Sequence, residues 1–180
     1  MQDIAFCADV FRFPASKEYS ERVLGCLLWA LIYADEAYLI GSQLQPPALY
    51  ESGIYWKEEF PQGRTACPTG QGQELFLGIR QVMNQGHADC EDVASWRVAE
   101  LRLGRVPAQY SVPPFPGHPA VTAVPPPFPM RPVGPDVLPG FFSRKTGPNE
   151  ITLHIVVCWP DGRIEDPSRV LGMGGARRYG

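Results

Sequence analysis

Residues 107–148 hold thirteen prolines in 42 positions, and that density constrains this chain more than any other feature of its sequence. Proline has no N–H to give to a helix or a strand ladder, and its ring blocks the preceding turn. Neither helix nor central strand is therefore expected there, apart from a short strand at Ala108 to Val112. Such a stretch is either a disordered linker or an extended arm. Phe115, Phe128, Phe141 and Phe142 suit an arm anchored on its own domain or on a neighbour, and that reading is adopted.

Around this arm the composition is that of a folded domain. The 180 residues are 44% hydrophobic and 11% aromatic, enough to bury one core in a single domain over 1–180. Residues 1–45 read as an N-terminal extension and 107–148 as an insertion. A formal charge of -3 and no basic run longer than a pair such as Arg177-Arg178 argue against a nucleic-acid partner. The five cysteines (Cys7, Cys26, Cys67, Cys90, Cys158) are odd in number and contain no C-x-x-C pair, so neither a disulfide framework nor a zinc ribbon is expected. The first residues lack the basic and apolar blocks of an export signal, which makes a cytoplasmic location the expectation.

The most apolar stretch runs from Val23 to Ala34, too short to cross a bilayer, and Asp35-Glu36 follows it directly, so no membrane partner is expected. A helix from Ser16 to about Ile40, stopped by Gly41, fits the pattern. Its apolar residues cover most of its circumference, which favours a core helix over one shared with another subunit. Residues from Pro46 to Gly72 are loop-like, with Tyr50, Tyr55, Trp56 and Phe60 embedded in them. Helical spacing predicts a second helix from Gln73 to Asn84, ended by Gln85-Gly86, and a third from Cys90 to about Leu103, stopped by Gly104.

The clearest local signal is Ile151 to Trp159, a β-branched apolar run that predicts a buried strand, followed by the turn Pro160-Asp161-Gly162. As a three-residue hairpin loop with a bulge at Gly162, this turn fixes the register. Trp159 then faces Arg163, and counting back along both strands puts Asp166 opposite Val156. Asp166 lies on the same face as His154 and diagonal to it, within reach of an imidazole. A two-residue loop would shift the register by one and send the two side chains to opposite faces. Such a pair is either a self-satisfied core contact or an imidazole held in one tautomer by a carboxylate.

Cys90 favours the second reading. The segment His87-Ala88-Asp89-Cys90-Glu91-Asp92 opens the third helix, with Asp89 as N-cap and Asp92 completing an approximate capping box. At the first helical position, unpaired amides and the positive dipole end favour thiolate and can donate to an oxyanion. Asp89, Glu91 and Asp92 act the other way and raise the thiol, so the cysteine needs an imidazolium partner, which His154 can provide.

Three separated blocks carry a family resemblance: Gly86 to Arg102 around Cys90, then His154-Ile-Val-Val, then Asp161-Gly162 and Glu165-Asp166-Pro167-Ser168 with Leu171-Gly172-Met173. Together they resemble the transglutaminase-like branch of papain-type cysteine enzymes, most closely the small versions encoded by tailed bacteriophages. The resemblance implies an α+β fold, with a helix carrying the cysteine at its N-terminus packed on a small antiparallel sheet. It also implies Cys90 as nucleophile, His154 as general base and acid, and Asp166 as the orienting carboxylate. The implied chemistry is acyl transfer from a protein or peptide substrate through a thioester, without a cofactor. Trp56 and Gln85 are candidate oxyanion donors.

Other residues have plainer expectations. Val93, Trp96 and Leu101 read as helix core, Arg97, Glu100 and Arg102 as paired charges, and His118 as solvated. His87, Asp89 and Cys90 lack the second Cys/His pair that a zinc site or a zinc-dependent deaminase needs. The competing class is a structural or assembly protein of a phage particle, in which the arm and the 16–40 helix bind phage structural proteins or further copies of the chain.

Overall fold

The computed structural model describes residues 5–9, 17–43, 45–58, 73–106, 121–127, 132–147 and 150–175. The fold is mixed, with helices against a curled antiparallel sheet. The elements in chain order are β1 (Ala5–Asp9), α1 (Lys17–Gly41), β2 (Tyr55–Trp56), β3 (Gln73–Leu77), α2 (Ile79–Gln85), β4 (His87–Ala88), α3 (Cys90–Arg102), β5 (Thr122–Ala123), β6 (Leu138–Gly147), β7 (Glu150–Cys158), β8 (Ile164–Glu165) and α4 (Pro167–Val170). The main sheet has the order β5-β6-β7-β8, antiparallel throughout. β1 pairs with β3 and β2 with β4 in two smaller units.

α3 is the centre of the molecule. Every residue from Glu91 to Arg102 is buried, and the helix packs against α1 on one side and β7 on the other. Two apolar clusters surround it. One joins Trp29, Ile32 and Leu39 of α1 to Val93, Trp96 and Leu101 of α3, as expected for those three. The other joins Leu24, Leu28 and Leu31 to Phe76, Ala94, Phe141 and Ile155. Burying side chains of this size at about 25 cal/mol per Å² is the main force holding helices to sheet.

A helix buried on all sides must satisfy its charges internally. Arg97 pairs with Glu100 at 3.4 Å and with Glu165 at 2.6 Å. Arg102 pairs with Glu36 of α1 at 2.9 Å and lies over the Trp29 ring. Asp35 of α1 accepts from the backbone N–H of Ile79, the first residue of α2. Thus α1 is a core helix whose carboxylates are used inside the domain. Its Glu21–Gly41 segment is nevertheless long and apolar enough, by length and composition, to cross a membrane, which the count of Val23 to Ala34 did not suggest.

The helix expected over Gln73 to Asn84 is divided. Residues 73–77 are strand β3, and only Ile79–Gln85 is helical. The backbone of Gln73–Leu77 finds an antiparallel partner in Ala5–Asp9, and this non-local pairing overrides the helical spacing of Leu75 and Ile79. Gly86, at φ 77, ends α2 in the left-handed conformation.

The proline-rich segment is corrected in part. β6 is a ten-residue strand paired on both edges, which the proline count had excluded. Its prolines are concentrated before Leu138. Only Pro139 falls inside the strand, near its start, where its carbonyl still accepts from Val124 N–H at 2.8 Å. Where described, the arm lies on its own domain. Val124 O accepts the indole N–H of Trp29 at 3.0 Å, and the N–H of Gly134 donates to Arg102 O at 2.7 Å. The strand expected at Ala108 to Val112, and Phe115, Phe128 and His118, lie outside the described residues.

Candidate active site

The β7–β8 hairpin forms in the register expected from its turn. Val157 opposes Glu165 and Cys158 opposes Ile164, with Gly162 at φ 84 and its N–H bonded to Trp159 O at 3.0 Å. His154 and Asp166 consequently share a face, and His154 Nε2 lies 3.0 Å from Asp166 Oδ2.

Asp166 is fixed on both oxygens. It is fully buried and is the N-cap of α4, with Oδ1 accepting from Arg169 N–H at 3.2 Å. Oδ2 faces His154 and, at 3.6 Å, Arg169 Nε. The imidazole is bounded on its other side by Phe142, its cross-strand neighbour, at 5.1 Å between ring centroids in an edge-on arrangement. A carboxylate that accepts from Nε2 sets the tautomer, which leaves the Nδ1 lone pair to take a proton. Among the described residues, Nδ1 has no hydrogen-bond partner.

The strand that delivers Asp166 is held by a buried polar network. Glu165 accepts from Tyr50 Oη at 2.5 Å, Arg97 Nε at 2.6 Å and Trp159 Nε1 at 3.0 Å. Burial and the Glu165 charge push the Tyr50 hydroxyl well above its ordinary value. Arg97 also lies over the Tyr50 ring. The sequence expectation of pairing for Arg97 is met, but the partner across the fold, Glu165, carried no local signal.

Cys90 is the first residue of α3, with Asp89 as N-cap in the extended conformation. The capping box does not form. Asp89 makes no side-chain cap bond, and Asp92 Oδ1 accepts instead from the Leu77 N–H at 2.8 Å, tying β3 to α3. The backbone N–H of Ile155, the residue after His154, acts on the Cys90 sulfur and favours its thiolate, which places the sulfur alongside β7. Its S–H is given to Glu91 Oε2 at 3.3 Å. Among the described residues, sulfur and imidazole share no hydrogen bond. Burial first, then the carboxylates of Glu91 and Asp89, push the thiol well above its ordinary value, and the Ile155 N–H only partly offsets them.

Trp56 and Gln85 are differently placed. β2 pairs in parallel with β4, so Trp56 stands opposite Ala88, two residues before Cys90. Its backbone N–H bonds to Leu171 O at 2.9 Å, while its buried indole Nε1 has no hydrogen-bond partner among the described residues. An orphaned buried donor on the strand paired with the residues just before Cys90 is a candidate donor to a transient oxyanion. Gln85 is exposed, and its amide is engaged by the His87 carbonyl at 2.7 Å. The His87 ring lies 5.8 Å from that of Tyr55, and burial and nearby Lys57 lower its pKa. Among the described residues, no group of three or more His, Cys, Asp or Glu converges to hold a metal ion.

Glu91 was missed in its role. In sequence it is only a charge next to a cysteine, and the helical geometry that turns it onto the sulfur has no signature in the neighbouring residues. Neither a family model, nor a curated protein, nor a solved structure matches the chain.

Proposed function

We propose that the chain is a cysteine-nucleophile acyl-transfer enzyme of the transglutaminase-like, papain-type class, acting on an amide of a protein or peptide. The observation that carries this reading is the 3.0 Å contact between His154 Nε2 and Asp166 Oδ2, with His154 on the strand against which the Cys90 helix packs.

In the proposed reaction Cys90 gives its proton to His154 Nδ1, and the sulfur attacks the substrate carbonyl carbon. The oxyanion is received by the first amides of α3 and the Trp56 indole N–H. His154 then protonates the leaving amine as the C–N bond breaks, which leaves a thioester. Water or a second amine resolves it and returns the proton to the sulfur through His154. Asp166 holds the ring in place and stabilises the imidazolium.

Iodoacetamide labelling near neutral pH, mapped by mass spectrometry, tests the reading. Selective labelling of Cys90 that is abolished in His154→Ala supports it. Equal, slow labelling of all five thiols, unchanged in that variant, favours an assembly role instead.

A further inference from the structure

Four glutamates are buried among the described residues: Glu36, Glu91, Glu100 and Glu165. Three of them face an arginine, Glu36 through Arg102, and Glu100 and Glu165 through Arg97. Among the described residues Glu91 faces no arginine or lysine: only 5% of it is exposed, its Oε1 has no hydrogen-bond partner there, and its Oε2 has only the weakly donating S–H of Cys90. A buried carboxylate left in this state costs free energy that a cationic donor would recover. The same contact keeps the S–H turned to Glu91 when catalysis requires it to turn to His154.

We propose that Glu91 selects the substrate: a peptide presenting an ammonium or guanidinium group beside the scissile carbonyl pairs with this carboxylate and releases the Cys90 S–H toward His154. This rests on the acyl-transfer reading above. The cation completes the ion pair that Glu91 lacks and removes the resting partner of the thiol. It also neutralises the nearest charge opposing a thiolate. An uncharged or anionic segment leaves the thiol on Glu91. The other charged groups near this end of the site are Asp89, which has the same sign as Glu91, and Lys57 and His87, which are coupled to one another.

The probes are two methanethiosulfonates, one carrying a 2-ammonioethyl group and the other a 2-sulfonatoethyl group. In each, a thiolate attacks the divalent sulfur, methanesulfinate leaves and a disulfide forms. The rate ratio, cation over anion, is measured at Cys90 by peptide mapping and divided by the same ratio for 2-mercaptoethanol. In the native protein it is expected to be about tenfold or more above the free thiol, in the range of local electrostatic enrichment. In Glu91→Gln it is expected to fall to within about twofold of the free thiol, with a faster absolute rate for a neutral methanethiosulfonate. A native ratio equal to that of the free thiol overturns the proposal without recourse to any variant, and so does a high ratio that persists in Glu91→Gln. Labelling of Cys90 that is indifferent to His154→Ala overturns the acyl-transfer reading instead, whatever the charge ratio.

Discussion

His154 Nε2 and Asp166 Oδ2 are 3.0 Å apart because one turn, Pro160-Asp161-Gly162, sets the register that brings the two onto one face. Asp166 serves two structures with its two oxygens, the imidazole and the N-terminus of α4. Asparagine is an equally good N-cap but offers an amide that cannot enforce the same tautomer. Asp166→Asn is therefore expected to slow Cys90 alkylation and acylation by roughly 10²–10⁴-fold. The cost in stability should stay at about 1–2 kcal/mol or less. Labelling rates and a urea titration of the same samples check both halves. A rate loss no larger than the stability loss accounts for would refute the orienting role.

The Trp56 indole N–H is buried and, among the described residues, has no hydrogen-bond partner. Removing it in Trp56→Phe should leave stability unchanged or raise it, since an orphaned donor costs about 1–3 kcal/mol to bury. If the donor serves the oxyanion, acylation by p-nitrophenyl acetate should slow by roughly 10²–10³-fold in the same protein. The burst of p-nitrophenol and a thermal melt read the two effects, which have opposite signs. An unaltered burst would assign the indole to packing alone.

Gly134 holds the described arm against α3. A Cβ built there would meet the Leu101 carbonyl oxygen at 2.0 Å and the Gly104 nitrogen at 2.7 Å, both backbone atoms. Gly134→Ala should therefore cost about 1–3 kcal/mol or more, as overpacking does. Gly53 is the control. It has a φ of 78 and open space around its Cβ position, so alanine there meets only the left-handed penalty of about 1–2 kcal/mol. Denaturation midpoints for the two variants should differ, with Gly134→Ala the lower. The reverse order would mean that the arm moves freely off α3.

Local chemistry made part of this molecule legible in advance. Asp161-Gly162 dictates its own turn, and the strand before it follows from β-branched residues, so the placement of His154 against Asp166 needed no knowledge of the rest of the chain. The start of α3 at Cys90 is legible for the same reason. What could not be read depends on partners far away in sequence. β3 looks helical until β1 pairs with it, and β6 looks excluded until β5 and β7 pair with its two edges. Arg97 was expected to pair, but nothing near it points to Glu165. The direction of the Cys90 S–H is of this second kind, because competition between Glu91 and His154 is decided by packing rather than by spacing.

Glu100 sits at the far end of the network that begins at Glu165, and it gives the fold a pH dependence of unusual sign. It accepts from the Leu49 N–H at 2.7 Å, Trp96 Nε1 at 2.8 Å and, more distantly, Arg97. These contacts do not compensate for its burial, which raises its pKa from 4.5 to about 7. In the folded state the carboxyl keeps its proton up to about pH 7, whereas in the unfolded chain it loses it near 4.5. Between those values the native state binds the extra proton, so stability falls as pH rises and levels off above about 7, the opposite of an ordinary salt-bridged carboxylate. Glu100→Gln keeps an acceptor for Leu49 and Trp96 but cannot titrate. Urea midpoints at pH 5, 6, 7 and 8 should show the variant gaining on the native protein by about 2 kcal/mol between pH 5 and 7.5, then running parallel to it. Parallel curves over the whole range would mean that Arg97 keeps Glu100 ionised throughout, and that the network contributes nothing to the pH response of the fold.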